Sequence, residues 1–464
     1  MHSTSGWRHF DSVYLLLCAP LILALIYLLP PFQAPDEAAH FYRAVQISHG
    51  QVAPALAPRT YRAGAGGMVD QSAFALVDAY CGIPNWSCAR QDRPALSDLV
   101  SSASGQGDRR IVPFSNTVVY LPVAHAVPAL AIVLARAVGL PPLGWLYAGR
   151  LANGLFTLTI SWLALYLLRT KNAAILVFAV ATLPMVSSIV PTLCADSPVI
   201  GCSLLLLALC VRLVEGAPVT RWFGALLLVT VVYASAAKLA YLPLAVMPLA
   251  SALAGKRSPT VVIGTGMVAL AAIAVTLLWS SSIRGYVFPI SPDLRVDPEG
   301  QIAFVLGHPI RFIVAIVNSI VLETPNNLKT IIGRKLSDQK VLLPWIIVLV
   351  SAASLALAAA TAGTRMTKMP IRIATFLLVA ACAGATFAFL YIQNSPVGGL
   401  RVDGYQGRYL IPLIPFVALL LPPPAAWLPV NQATSRRAVA FGGSAVTISL
   451  AIFLAARTWG VATV

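Results

Sequence analysis

Four clusters of ionisable and aromatic residues stand out in an otherwise apolar chain. The first is Pro35-Asp36-Glu37-Ala38-Ala39-His40-Phe41-Tyr42-Arg43. Proline followed by two acids opens a helix well, because the missing N–H costs nothing there and carboxylates suit the positive helix end. On such a helix Asp36, His40 and Arg43 fall at i, i+4 and i+7, along one face. A carboxylate held there and oriented by His40 or Arg43 is a candidate general base, with Glu37 as the other candidate. The plainer alternative is a capped interfacial helix with solvated charges. The first histidine of HExxH is absent, which excludes a zincin.

The second cluster, Thr192-Leu193-Cys194-Ala195-Asp196-Ser197, joins two apolar blocks. An acid in so short a loop sits close to the membrane and needs a partner. Asp196 is either a helix N-cap or a second acid facing Asp36, able to bind a metal or position an acceptor hydroxyl. The third is Lys238, the only charge in the stretch from Trp222 to Gly255. It either snorkels to the interface or, with Tyr241, presents a cation and a hydroxyl to an anionic lipid headgroup. The fourth runs from Arg401 through Asp403, Arg408 and Tyr409 to Pro412. Arginine can fork two hydrogen bonds onto a phosphate, which lysine cannot; the alternative is an interface anchor of Arg and Tyr.

The elements that position these clusters are read from composition. Of 464 residues, 58% are apolar by type and 10% are charged. Mean hydropathy is +0.81. A soluble domain is nearer a quarter charged, and a disordered chain would not gather its apolar residues into blocks. Eleven blocks, at about 12–31, 146–168, 173–191, 198–214, 221–236, 239–254, 259–280, 341–363, 373–393, 410–428 and 438–456, are candidates to cross a hydrocarbon layer about 30 Å thick. The expectation is an all-α integral membrane protein, a single domain over 1–464. It has large outer loops at 32–145 and 281–340, the first with interfacial helices. The first block lacks a small-residue cleavage site after it and reads as a retained span.

The stretch 116–140, interrupted by Pro122, His125 and Pro128, decides the topology. If it lies in the interface and Arg8 is cytoplasmic, then Arg169, Lys171, Arg212, Arg221, Lys256, Arg257, Arg365, Lys368, Arg372, Arg436 and Arg437 join it there. If it crosses, those clusters fall on the wrong side for short loops. The interfacial reading places all four clusters on the outer face. The net charge of +16 then reflects orientation and contact with anionic membrane lipids, not nucleic-acid binding. Cys81 and Cys88 share a polar loop and are able to pair in an oxidising compartment; no CxxC set points to zinc. Gly64-Ala65-Gly66-Gly67 reads as a flexible loop, and Asn85-Trp86-Ser87 is a weak glycosylation match.

The segments "PDEAAHFYRAVQISHGQ", "ADSPVIGCSLLLLAL", "AKLAYLPLAVMPL" and "DGYQGRYLIPLIP" resemble a bacterial family of multispan membrane proteins. That family is catalogued as of unknown function and grouped with the GT-C glycosyltransferases, which use lipid-phosphate sugars. The resemblance runs from about residue 12 to 428. It implies a GT-C-like bundle in the bacterial inner membrane, with a catalytic acid early in the first outer loop, at Asp36 or Glu37. The acid of the next outer turn maps onto Asp196. Asp196 has no acidic neighbour two residues away, unlike the oligosaccharyltransferase type, which argues against a tightly bound metal and leaves a divalent cation as an open question.

The implied reaction transfers a sugar from a polyprenyl phosphate to a glycan, lipid or protein acceptor by direct, inverting displacement. Lys238, Tyr241, Arg401, Arg408 and Tyr409 would serve the lipid phosphate, and Asp196, His40 and Arg43 the acceptor or a metal. The alternatives are a transporter or flippase of lipid-linked sugars and a non-catalytic scaffold. A transporter would be expected to show repeats and polar residues in mid-span.

Overall fold

The computed structural model describes residues 9–57, 64–82, 88, 96–99, 107–288, 296–336, 341–364, 368–422 and 431–458. Helix α1 (Phe10–Leu28) carries the chain from one end of the bundle to the other, and α2 (Glu37–Ser48) follows across that far end. Next come β1 (Ala55–Leu56), β2 (Ala65–Asp70), α3 (Gln71–Cys81), β3 (Arg109–Pro113), α4 (Ser115–Val118) and α5 (Ala126–Ala137). The strands form an antiparallel sheet in the order β1-β2-β3, so the first loop is not purely helical. Gly66 and Gly67 belong to β2 rather than to a flexible loop. A Cβ on Gly66 would lie 1.7 Å from the Val112 carbonyl oxygen, and one on Gly67 2.3 Å from the Gln46 side chain. Cys81 and Cys88 are bonded. The Asn85-Trp86-Ser87 match, Arg8 and Arg365 lie outside the described residues.

Helix α6 (Pro142–Leu168) begins at the end where α1 stops, with Arg150 donating to the carbonyls of Ile26, Leu29 and Pro30. The stretch 116–140 therefore adds no pass between them; it packs as α4, α5 and a 3-10 turn against α2 and α6. After α7 (Ala173–Ala181) and α8 (Pro184–Ile189) comes α9 (Asp196–Val214). Apolar on every side, α9 is buried through almost its whole length and forms the axis of the bundle. Its first residue, Asp196, is thereby fixed at the end of the core.

The chain continues with α10 (Arg221–Val231), a π segment (Val232–Ala236), a 3-10 segment (Leu239–Val246), α11 (Met247–Ala254) and α12 (Pro259–Ser282). Then follow α13 (Pro298–Gly307), α14 (Pro309–Ile332), the hairpin of β4 (Lys335–Leu336) and β5 (Val341–Leu342), and α15 (Trp345–Thr361). Helix α16 (Met369–Asn394), a 3-10 segment (Gly407–Phe416), α17 (Val417–Leu420) and α18 (Gln432–Thr458) complete the order. Proline opens α6, α12, α13 and α14 at positions that need no donor.

Among the described residues six helices, α1, α6, α9, α12, α16 and α18, are long and apolar enough to cross a membrane. A seventh results only if α13 and α14, bent by 108°, count as one. The expected eleven long spans are thus not all present as such. The blocks at 221–236, 239–254 and 341–363 form shorter apolar segments, as does the described part of the block at 410–428. The block at 173–191 is divided between α7 and α8 at Pro184. Proline is the physical reason at three of these places: Pro184, Pro243 and the pair Pro412 and Pro415 remove donors and tighten or break the helix.

Candidate functional site

The end of the bundle reached by α1 and left by α9 holds a chain of alternating charges. Asp36 immediately precedes α2 with a left-handed backbone, φ 57°. Such a conformation is costly outside glycine and is kept only where the surroundings dictate it. Its carboxylate is half exposed, accepts from the Asn116 amide at 3.0 Å and lies 3.8 Å from the Arg408 guanidinium. Arg408 in turn lies 3.8 Å from Asp196, and Asp196 accepts from the Lys238 ammonium. The sequence Asp36, Arg408, Asp196, Lys238 thus alternates in sign and balances in charge.

The contacts in this chain are unequal. Lys238 sits at the break between the π and 3-10 segments, which turns its side chain onto Asp196. Burial alone would lower its pKa, but the Asp196 carboxylate outweighs that and holds the amine well above its ordinary range, charged. Both 3.8 Å contacts of Arg408 are too long for hydrogen bonds, and its Nε is buried without one. Tyr409 and Tyr120 flank Lys238 at 5.7 and 5.3 Å from ring centroid to Nζ, within cation–π range. Tyr241 is held differently, its hydroxyl donating to the Tyr409 carbonyl at 2.8 Å.

A cavity of about 400 Å³ opens beside these groups. Asp36, Tyr120, Lys238, Tyr241 and Tyr409 line its polar side, and Trp279 of α12 faces them. Ile283, just after α12, and residues of α16, among them Phe389 and Leu390, make its other side apolar. His40 also lines it, with Nδ1 2.8 Å from His125 Nε2. Burial first, then the cations Lys238 and Arg408, push the His40 pKa well below 6.5. Burial and neighbouring His40 do the same to His125. The two imidazoles are therefore neutral near pH 7 and share one proton between facing nitrogens.

Other candidates stand elsewhere. Glu37 is fully buried, with Arg150 Nε 2.8 Å from Oε1 and Nη2 2.6 Å from Oε2. This bidentate pair ties α2 to α6 and occupies both oxygens, so of the two adjacent acids Asp36 alone lines the cavity. Arg43 is buried away from the cavity, donating to Gln46 and to the carbonyls of Val52 and Tyr120. Its side chain fastens α2 to the loops around it. Of the three residues expected on one face, Asp36 and His40 both line the cavity, whereas Arg43 is drawn away from it by these bonds. Arg401 is largely exposed and pairs with Asp403 at 3.6 Å, outside the cavity. Among the described residues no three His, Cys, Asp or Glu side chains converge to hold a metal, and both site carboxylates face cations.

Arg150, Asn116, His125, Tyr120 and Trp279 were not expected. Arg150 carried a readable signal, as the only charge between Pro142 and Leu168. The others carried none: Asn116, Tyr120 and His125 lie in short helices and turns of the first loop, and Trp279 is one aromatic near the end of an apolar helix.

Residues 20–417 match a family described as predicted membrane protein (DUF2142), and the chain belongs to that family. No curated protein and no solved structure matches the chain.

Proposed function

We propose that this protein is a GT-C-type glycosyltransferase that moves a sugar from a polyprenyl phosphate to an acceptor at the outer face of the bacterial inner membrane. The observation that carries the reading is the half-exposed Asp36 carboxylate, which lines a cavity together with Lys238 and has Arg408 3.8 Å behind it. A base beside paired cations is what a displacement at an anomeric carbon needs.

In this reaction the acceptor hydroxyl attacks C1 of the sugar from the Asp36 side. Asp36 takes the hydroxyl proton as the new C1–O bond forms. The bond from C1 to the phosphate oxygen breaks, and its electron pair leaves with the polyprenyl phosphate. Arg408, whose Nε–H is uncommitted, and Lys238 stabilise that leaving group. Asp196 holds both cations in place until the phosphate displaces it. Direct displacement inverts the anomeric centre. Asn116 positions Asp36, and the neutral His40–His125 pair shapes the acceptor side.

The reading places the N-terminus in the cytoplasm and counts eleven passes, the shorter apolar segments included. The basic residues at the opposite end of the bundle support that orientation. The test is transfer of a radiolabelled sugar from a polyprenyl-phosphate donor by purified protein in liposomes. A new glycosidic bond, lost in Asp36→Asn, supports the enzyme. Movement of donor across the bilayer without a new bond would instead identify a transporter of lipid-linked sugars.

A further inference from the structure

The site end of the molecule contains two hydrophobic cores, not one. Ala315, Phe387, Tyr391 and Val402 form a small cluster separate from the main core. It joins α13, α14, the outer part of α16 and the loop that leads to Arg408. Among the described residues, α13 and α14 hold that loop by four side-chain hydrogen bonds. Gln301 of α13 accepts from Gly398 N at 2.9 Å. On α14, Asn318 donates to Leu400 O at 3.1 Å, Ser319 accepts from Val402 N at 2.7 Å and Thr330 accepts from Gly407 N at 2.9 Å. Gly407 is pressed so close that a Cβ would lie 2.2 Å from the Asn327 carbonyl oxygen. The residue after Gly407 is Arg408.

Among the described residues, none covers the opposite face of α14. Ile310, Ile313, Val317, Val321 and Leu322 are between 50 and 75% exposed, a larger apolar run than a soluble surface tolerates. The pair α13–α14 has the hydropathy of a membrane span but is bent by 108°. It also starts and finishes at the same end of the bundle. Helix α12 arrives beside the cavity, where Trp279 Nε1 donates to Val119 O at 2.9 Å. Helix α14 stops beside Gly407, and α15 then runs to the other end, where Gly363 O accepts from Asn172. A segment apolar enough for the bilayer that leaves and returns on one side must lie in the near leaflet, with its polar edge turned toward protein.

We infer that α13–α14 is a re-entrant helix pair seated in the leaflet at the site end, and that through Ser319 and Thr330 it positions Arg408 from the lipid. The partner of its bare face is acyl chain. Arg311, the one charge among the exposed residues from Ile310 to Leu322, has the reach to snorkel to the headgroups. The loop that leads into Arg408 is then borne by a helix pair seated in the membrane, whereas Asp36, Asp196 and the segment that follows Arg408 are borne by the main core. The assignment stands on burial and topology and holds whether or not a sugar is transferred.

The experiment uses the full-length protein in nanodiscs containing brominated phospholipid. Bimane is attached at Val317→Cys, Val321→Cys or, as a water-facing reference, Asn326→Cys. Bromolipid should quench the first two at least threefold more than the third, and iodide should show the reverse order. Iodide reaching Val321 as readily as position 326 overturns the membrane seat. For the positioning role, a spin label at Asp403→Cys should be immobile in the parent and mobile in Ser319→Ala/Thr330→Val. Thr330→Ser, which keeps the hydroxyl, should restore the immobile spectrum. An unchanged spectrum in the double variant, with its melting temperature retained, overturns it. Loss of sugar transfer alone, with both spectroscopic results as expected, counts against the enzymatic reading and not against this one.

Discussion

The two ends of the bundle use charge in opposite ways. At the basic end, Arg436 donates to the carbonyls of Arg169 and Lys171, closing the C-terminus of α6. Arg257 does the same for the Ala217 carbonyl, and Lys171 pairs with Glu215 at 2.8 Å while a third exposed. These cations meet helix C-termini, where the peptide dipoles favour them, and water screens the rest. At the site end most of the charges are buried and paired, with half-exposed Asp36 at the cavity. Arg150 and Glu37 are fully enclosed, and Arg408 lies near two carboxylates without a hydrogen bond to either. In a low-dielectric setting such an arrangement persists only if every charge has a counter-charge. One end therefore uses charge to terminate helices, and the other sets charges of alternating sign beside a cavity.

The sharpest way to test that contrast is at the cavity lip. Asp36→Asn should reduce transfer by roughly 10²–10⁴-fold, the span expected for loss of a general base, while the melting temperature barely changes. Retained transfer from a polyprenyl-phosphate donor would end the assignment of the base. Next in size is Arg150→Leu, which strands the Glu37 carboxylate in the core. It should cost about 3–5 kcal/mol, measured by thermal unfolding in detergent. A loss under about 1 kcal/mol would mean that the two ends differ less than their burial indicates.

Acidification separates the ends in another way. His40 and His125 have folded pKa values pushed below 6.5, first by burial. Below about pH 6.5 the unfolded chain takes up protons that the folded one refuses. Stability is therefore full above that pH and falls as pH drops through it, by at most about 1.4 kcal/mol per histidine per pH unit. Thermal midpoints between pH 7.5 and 5.5 should fall less steeply in His40→Asn/His125→Asn; parallel curves would refute the assignment. The smallest effect belongs to the basic end, where Lys171→Ala should cost less than about 1 kcal/mol. Its loss should shrink further at high salt, whereas that of Arg150→Leu should not.

Several features were open to reading in the chain itself. Lys238 and Asp196 each stood alone against apolar neighbours, and a lone charge beside a span announces a partner. Arg150 announced itself in the same way. Between Asp36 and Glu37 nothing local distinguishes the two acids, since both follow Pro35 at a helix start. The choice comes from Arg150, more than a hundred positions away, which takes one and leaves the other at the cavity. Gly66 and Gly67 looked like a loop because the Val112 backbone and the Gln46 side chain that require their small size are distant in sequence.

Hydropathy and charge spacing alone determined that the chain is a helical membrane protein whose short segments on one side carry twelve of its 32 basic residues. Both properties are sums over neighbouring residues, and solvent acts on them locally. Which passes are long helices and which are broken, which acid faces a cavity, and how Arg408 is held depended on tertiary structure. Those are matters of distance between side chains far apart in the sequence. In a medium of low dielectric, such distances set the energy of a charge more strongly than its immediate neighbours do.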